Sequence, residues 1–253
     1  GQGTGRGARV AVAGTSNGAP RFAWTEDIFA ASPTWTANNT GLPGTATVVN
    51  NLRFDPFSPS TTAFLDVENI VYKNTAYRTG GSWSSIFDPP GASVIGDIRL
   101  SIASPGLVVV LHGDVTGAGG DDLVVSHSHN GGTTFTSIYV SDAAISTYPD
   151  RLRRVIVGQW DSTFFAASWS SIPFDFGKST DTGHTWSNSV EFPSDVFHLM
   201  LPYKGNSNQQ ELFAYRSDVV YQSTNQGGSF SLYSSPALTV TTTVQLDFSA
   251  ADT

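Results

Sequence analysis

Ser128-His129-Asn130-Gly131-Gly132-Thr133-Thr134-Phe135 recurs without gaps as Ser179-Thr180-Asp181-Thr182-Gly183-His184-Thr185-Trp186 and as Ser223-Thr224-Asn225-Gln226-Gly227-Gly228-Ser229-Phe230. Each copy reads Ser-x-Asx-x-Gly-x-Ser/Thr-aromatic. A weaker copy, Ala76-Tyr77-Arg78-Thr79-Gly80-Gly81-Ser82-Trp83, keeps the glycine and the Ser-Trp end, and a fainter one ends in Thr34-Trp35. The composition follows from what a tight turn needs. An Asx side chain accepts hydrogen bonds from backbone amides a few residues on. Glycine supplies a positive φ that a β-carbon opposes. The hydroxyl residue and the aromatic then start the next strand, where the ring can wedge between neighbouring sheets.

Trp35, Trp83, Phe135, Trp186 and Phe230 are spaced roughly 44 to 52 residues apart, the length of four short strands with their turns, which is one propeller blade. The segments between them agree. Thr62–Val67, Ile70–Lys73, Leu107–Leu111, Leu123–Val125, Thr163–Ala167, Glu211–Tyr215 and Val219–Gln222 are short, apolar and rich in β-branched or aromatic residues. Turn residues link them, as in Gly41-Leu42-Pro43-Gly44 and Asp88-Pro89-Pro90-Gly91. No stretch carries helical periodicity.

The repeated segment resembles the Asp box (BNR-type repeat) of sialidases, sortilin-type receptors and xyloglucanase-type glycoside hydrolases. The resemblance covers nearly the whole chain as a repeat pattern. It implies a β-propeller in which each box joins the third and fourth strands of a blade. It also implies structural roles for Ser128, Asn130, Gly132, Thr134 and Phe135, for Ser179, Asp181, Gly183, Thr185 and Trp186, and for Ser223, Asn225, Gly227, Ser229 and Phe230.

The expected fold is all-β: a single five-bladed propeller of four-stranded antiparallel blades over residues 1–253. The blades fall at about 1–44 with 240–250, 45–90, 91–145, 146–193 and 194–239. Asn51–Asp55, Asp97–Ser101 and Arg154–Val157 read as the first strands of blades two to four. The first blade has no such strand before Arg9–Ala13, whereas Val244–Phe248 offers one at the other end of the chain. The C-terminal strand is therefore expected to complete the first blade and close the ring, because an open ring would expose sheet edges.

Composition narrows the function. Of 253 residues, 39% are hydrophobic but only 13% are charged, and the net charge is −8. A nucleic-acid partner is excluded, since phosphates need a basic footprint and lysine occurs only at 73, 178 and 204. Cysteine is absent, which removes disulfides, thiolate metal sites and cysteine nucleophiles together. No run approaches the ~18 apolar residues of a membrane span. The chain opens on Gly1 rather than Met and is expected to be a mature or trimmed form of a secreted protein. Asn38-Asn39-Thr40 forms one glycosylation sequon.

Candidate chemistry is sparse. The Arg-Ile-Pro signature of the sialidases is missing, and Pro20-Arg21-Phe22 is the nearest approach. A glycosidase otherwise needs two carboxylates across a cleft. The glutamates are few (Glu26, Glu68, Glu191, Glu211), and the acids on first strands are Asp55, Asp97 and Asp247. Asp114-Val115-Thr116-Gly117-Ala118-Gly119-Gly120-Asp121-Asp122 resembles the calcium loops of FG-GAP propellers. The resemblance makes Asp114, Thr116 and Asp122 calcium ligands, but Ala118 stands where a carboxylate is needed. The alternative, a glycine-rich hairpin with solvated aspartates, is the favoured reading. His127 and His129 are two apart, as on one face of a strand, but a third metal ligand is not visible; both flank the repeat, and turn or surface histidines are the favoured reading.

The expectation is a non-catalytic extracellular module that binds a glycan or a protein, or packs against copies of itself, with no cofactor. A small glycoside hydrolase of sialidase-like or xyloglucanase-like type is the alternative. The carboxylate pair would discriminate the two.

Overall fold

The structure, a computed structural model, describes residues 10–91, 93–101, 104–114, 123–140, 152–157, 164–168, 174–182, 184–185, 187–192, 198–200, 212–216 and 219–234. It comprises two units, Gly1–Pro89 and Pro90–Thr253.

The first unit begins with β1 (Val10–Ser16), β2 (Ala19–Thr25) and β3 (Thr36–Ala37), a three-stranded meander. Asn17 and Gly18 both take positive φ, 51° and 70°, and pair Ser16 with Ala19 across a two-residue hairpin. Those are the dihedrals of a type I′ turn, which matches the twist of the flanking strands. The second sheet is β4 (Val49–Phe54), β5 (Ala63–Val67), β6 (Ile70–Asn74) and β7 (Ser84–Phe87) in sequential order. Glu68 and Asn69 form its second-to-third hairpin, again both at positive φ.

Three four-stranded meanders make up the described part of the second unit. The first is β8 (Ser93–Leu100), β9 (Val108–Asp114), β10 (Leu123–Ser128) and β11 (Thr136–Val140). The second is β12 (Leu152–Val157), β13 (Phe164–Ser168), β14 (Phe174–Ser179) and β15 (Ser187–Phe192). The third is β16 (His198–Met200), β17 (Leu212–Arg216), β18 (Val219–Ser223) and β19 (Ser231–Ser234). All the strand pairs described are antiparallel. The segments singled out as strands in the sequence are strands here, within a few residues at their ends, except Val244–Phe248, which lies outside the described residues.

The sheets share an irregularity that the sequence does not announce. The first strand slips by one residue against the second at Asn50/Leu52, at Ile95/Asp97 and at Leu152/Arg154. The third slips against the fourth at Val71/Tyr72, at Phe176/Gly177 and at Val220/Tyr221. A bulge adds twist to the strand that carries it, so equivalent strands of different sheets bend at equivalent places.

Burial explains why second strands are so apolar. Every residue of β5 is buried, and so are Val108 to Leu111 of β9. A strand covered on both faces loses the alternation of a half-exposed one. In the first unit the core joins both sheets, with Phe22 of β2 packed among Leu65, Val67, Tyr77 and Trp83. The described residues contain no helix long and apolar enough to cross a membrane.

Candidate functional site

The three full copies of the repeat each connect the third strand of a sheet to its fourth. At Ser128 the hydroxyl donates to Asn130 Oδ1 at 2.8 Å and accepts the Gly132 amide at 2.9 Å. Asn130 Oδ1 also accepts the Thr134 amide at 2.9 Å, and its Nδ2 donates to Thr134 Oγ1 at 2.8 Å. Ser223, Asn225, Gly227 and Ser229 repeat this set bond for bond, at 2.8 to 2.9 Å.

In the middle copy a carboxylate replaces the amide. Asp181 Oδ1 accepts from the Ser179 hydroxyl and from the Thr185 amide, each at 2.8 Å. Asp181 Oδ2 accepts the Thr185 hydroxyl at 2.6 Å. These bonds favour the ionised form, and the carboxyl sits at about 2, with the Thr185 hydroxyl the largest influence. Gly183 and Trp186 lie outside the described residues.

Positive φ falls on two successive positions of the turn and not on the motif glycine alone. Gly131 and Gly132 both adopt it, as do Gln226 and Gly227, and Thr182 holds the first of these positions at 59°. The left-handed region is costly for a β-branched residue. Phe135 and Phe230 are only partly buried.

The degenerate copy works differently. Asn74, two residues before the aligned start, accepts the Ala76 amide at 2.8 Å and donates to Gly81 O at 2.7 Å. A 3-10 turn, Tyr77–Thr79, fills the loop and ends on Gly80 in the left-handed conformation. Asn38, from the first sheet, donates to both Tyr77 O and Gly81 O. Trp83 is buried against Phe22, edge to face at 5.1 Å between centroids. Its Nε1 donates to Asn38 O at 2.8 Å and its amide to Thr40 O at 2.8 Å. Gly41 makes room for this approach: a Cβ there would lie 2.1 Å from Trp83 O, and its φ is +88°. Trp35, which closes the faintest copy, is exposed instead.

The acids are held by their surroundings. Asp97 on β8 is fully buried, with Oδ1 accepting the Ile98 amide and Oδ2 paired with Arg99 Nε at 2.9 Å. Asp55 follows β4 and accepts the Phe57 amide. Asp247 lies outside the described residues. Asp66, the fourth residue of β5, belongs to no motif of the sequence. It is 0% exposed, accepts from Asn51 and from the Asn69 amide, and is pushed up to about 6 by burial. Its signal was an aspartate in the middle of the apolar run Ala63–Val67.

Of the calcium loop, Asp114 ends β9, while Thr116 and Asp122 lie outside the described residues. Of the histidine pair, His129 is a surface turn residue as expected, and His127 is not. β10 ends at Ser128, so His127 is buried in the strand and His129 is exposed in the turn, with rings edge to face at 5.2 Å. On the neighbouring strand β9, His112 is buried, its Nε2 within 2.8 Å of Ser126 Oγ, which is 2.8 Å from Ser137 Oγ. Burial lowers His112 to about 4. No group of three His, Asp or Glu among the described residues could hold a metal ion.

One cavity in the first unit has no forerunner in the motifs. It measures about 300 Å³ and is lined by Trp24, Phe54, Pro59, Ser60, Tyr77 and Arg78, among others. Tyr77 packs edge to face on Trp24 at 6.2 Å and against Phe54 at 5.6 Å, and its hydroxyl donates to Pro59 O. The Arg78 guanidinium lies 5.3 Å over the Trp24 ring and pairs with Glu26.

No protein-family model matches the chain, and no curated protein matches it in sequence. Solved structures do. A GH74 enzyme from Niastella koreensis superposes with a TM-score of 0.57 at 18% identity, over 74% of this chain and 29% of that one. The GH74 xyloglucanase from Xanthomonas campestris gives 0.59 at 14% identity, over 88% and 36%. A chain of the nidogen/laminin complex gives 0.54 at 11% identity, over 89% and 78%. The chain thus spans about a third of the length of the GH74 enzymes it matches. At these identities the likeness establishes a propeller-like fold of antiparallel sheets and carries no activity with it.

Proposed function

We propose that this chain is an Asp-box propeller that acts outside the cell as a non-catalytic binding or assembly module, for a glycan, a protein or copies of itself. The observation that carries the reading is the pairing of a charge-poor chain with large apolar side chains at its surface. Phe29 is 81% exposed, and Leu232 and Tyr233, adjacent on β19, are 61% exposed each. Neighbours on a strand point to opposite faces, so β19, last in the strand order of its sheet, carries an exposed apolar side chain on each face, which favours contact with a partner. The carboxylates described above support the same reading, because they are engaged in holding turns, bulges and ion pairs. The hydrolase alternative needs two facing carboxylates, and Asp66, which burial raises, is closed to solvent.

The five-bladed ring belongs to the same proposal. In the four-stranded sheets the repeat turn, full or degenerate, lies between third and fourth strands, whereas Thr34-Trp35 lies between β2 and β3 of the three-stranded one. By that alignment β1 is a second strand, and Val244–Phe248 supplies the first. The loop from Asp114 to Asp122 is a hairpin, with calcium through Asp114, Thr116 and Asp122 as its lesser alternative.

Light scattering across a concentration series, together with a glycan array, tests the function. Self-association or glycan capture is the expected result. A chain that stays monomeric, captures no glycan and hydrolyses a polysaccharide would reverse the assignment.

A further inference from the structure

We propose that the cavity of the first unit is a binding site for a single neutral sugar ring, read by Trp24 Nε1 and Arg78 Nε. This deepens the binding-module reading and rests on it.

Two buried donors point to an absent acceptor. Trp24 Nε1 and Arg78 Nε are both buried, and neither has a hydrogen-bond partner among the described residues. Buried N–H groups are almost always paired, and Trp83 Nε1 in the same unit has Asn38 O at 2.8 Å. Both unsatisfied donors belong to residues that line one cavity. A ligand that brings acceptor oxygens there recovers hydrogen bonds that the folded chain forgoes.

The remaining walls select the rest of the ligand. Phe54, Pro59 and Tyr77 offer apolar surface, which suits the C–H faces of a ring. The volume, about 300 Å³, lies at the lower end of small-molecule pockets and suits one ring better than a chain of them. Charge decides between a neutral ligand and an anion. Glu26 already neutralises Arg78, so a carboxylate or phosphate would meet no unbalanced cation. Several acceptor oxygens, an apolar face and no charge together describe a neutral pyranose.

Access runs through Arg78. Its guanidinium lies over the indole of Trp24 and is tied to Glu26, and both side chains of that pair reach solvent. An exposed ion pair is weak, so the guanidinium can tilt aside at small cost. Both donors are closed to solvent in the present arrangement, and binding requires this movement to expose them.

The test uses the full chain with methyl glycosides of neutral hexoses and pentoses as probes, read by saturation-transfer NMR and by titration. At least one should bind with a millimolar Kd. Trp24→Phe keeps a ring but removes the N–H, and should weaken that binding about tenfold or more with the circular dichroism spectrum unchanged. Arg78→Met should do the same and carries the test if Trp24→Phe fails to fold. Glu26→Gln leaves Arg78 unbalanced and should add binding of the matching uronic acid. The site is overturned if no neutral glycoside binds at about 20 mM, far above a millimolar Kd. Binding that survives both Trp24→Phe and Arg78→Met also overturns it, and would leave a glycan-binding module whose site lies elsewhere. Absent binding in a chain that self-associates would overturn the sugar site and leave the assembly reading alone.

Discussion

Replacing Trp83 by alanine tests whether the aromatic of the repeat locks one sheet onto the next. In the first unit the ring, borne on the residue just before β7, is buried against Phe22 of β2. Removing a buried tryptophan costs roughly 3–5 kcal/mol in lost transfer energy and unfilled space. The same change deprives Asn38 O of the Trp83 Nε1 bond, adding about 1 kcal/mol. A total near 5 kcal/mol corresponds to a fall of about 10–20 °C in melting temperature for a chain of this size. Trp83→Phe separates the two contributions, since it keeps most of the packing and loses the donor; it should cost about 1–2 kcal/mol. Urea titration followed by circular dichroism, with calorimetry alongside, reads both variants. A Trp83→Ala loss below about 1 kcal/mol, close to the range of surface substitutions, would refute the wedge.

Asp181→Ala should cost about 1–2 kcal/mol, because it leaves the Thr185 amide and hydroxyl and the Ser179 hydroxyl without their shared acceptor; urea titration reads it, and a neutral result counts against a structural role. The stability that the ionised Asp181 contributes is present above its unfolded pKa near 3.8 and is lost as pH falls toward about 2. Asp66 has the opposite sign: raised to about 6, it binds more protons folded than unfolded, so its contribution falls as pH rises from about 4 to 6, by roughly 1.4 kcal/mol for each step of one in pH. Asp66→Asn should flatten that slope in melting curves taken across the window, and an unchanged slope would contradict the burial. Calcium at about 10 mM should leave the melting temperature unchanged, whereas Ala118→Asp should create a calcium-dependent rise that a chelator reverses, by mass action on the folded state. Deleting residues 240–253 should lower the melting temperature by several degrees if that segment supplies a buried strand to the first sheet; a shift of a degree or two would remove ring closure.

The repeating architecture is legible in the chain alone, because its signals are local. A Ser-x-Asx-x-Gly turn closes through bonds between residues two to four apart, and Asn130, Asp181 and Asn225 make those bonds whatever surrounds them. Apolar runs such as Ala63–Val67 and Leu107–Leu111 are long enough for a strand and too short for a helix. The Asn17-Gly18 hairpin was equally open to local reading, since both residues tolerate positive φ. Glu68-Asn69 was not, because a glutamate gives no sign of it; its carboxylate instead accepts the Thr47 and Val48 amides across the sheet end. Tertiary structure alone decided which polar groups are buried and what they meet. Nothing near Asp66 in the chain shows that β5 is covered on both faces, and nothing near Trp83 names Asn38 as its acceptor. Trp24 and Arg78 are 54 positions apart in the chain, yet they share one cavity wall with two unsatisfied donors. Pairing at that range depends on how two sheets stack, a packing outcome set by side chains of both sheets at once.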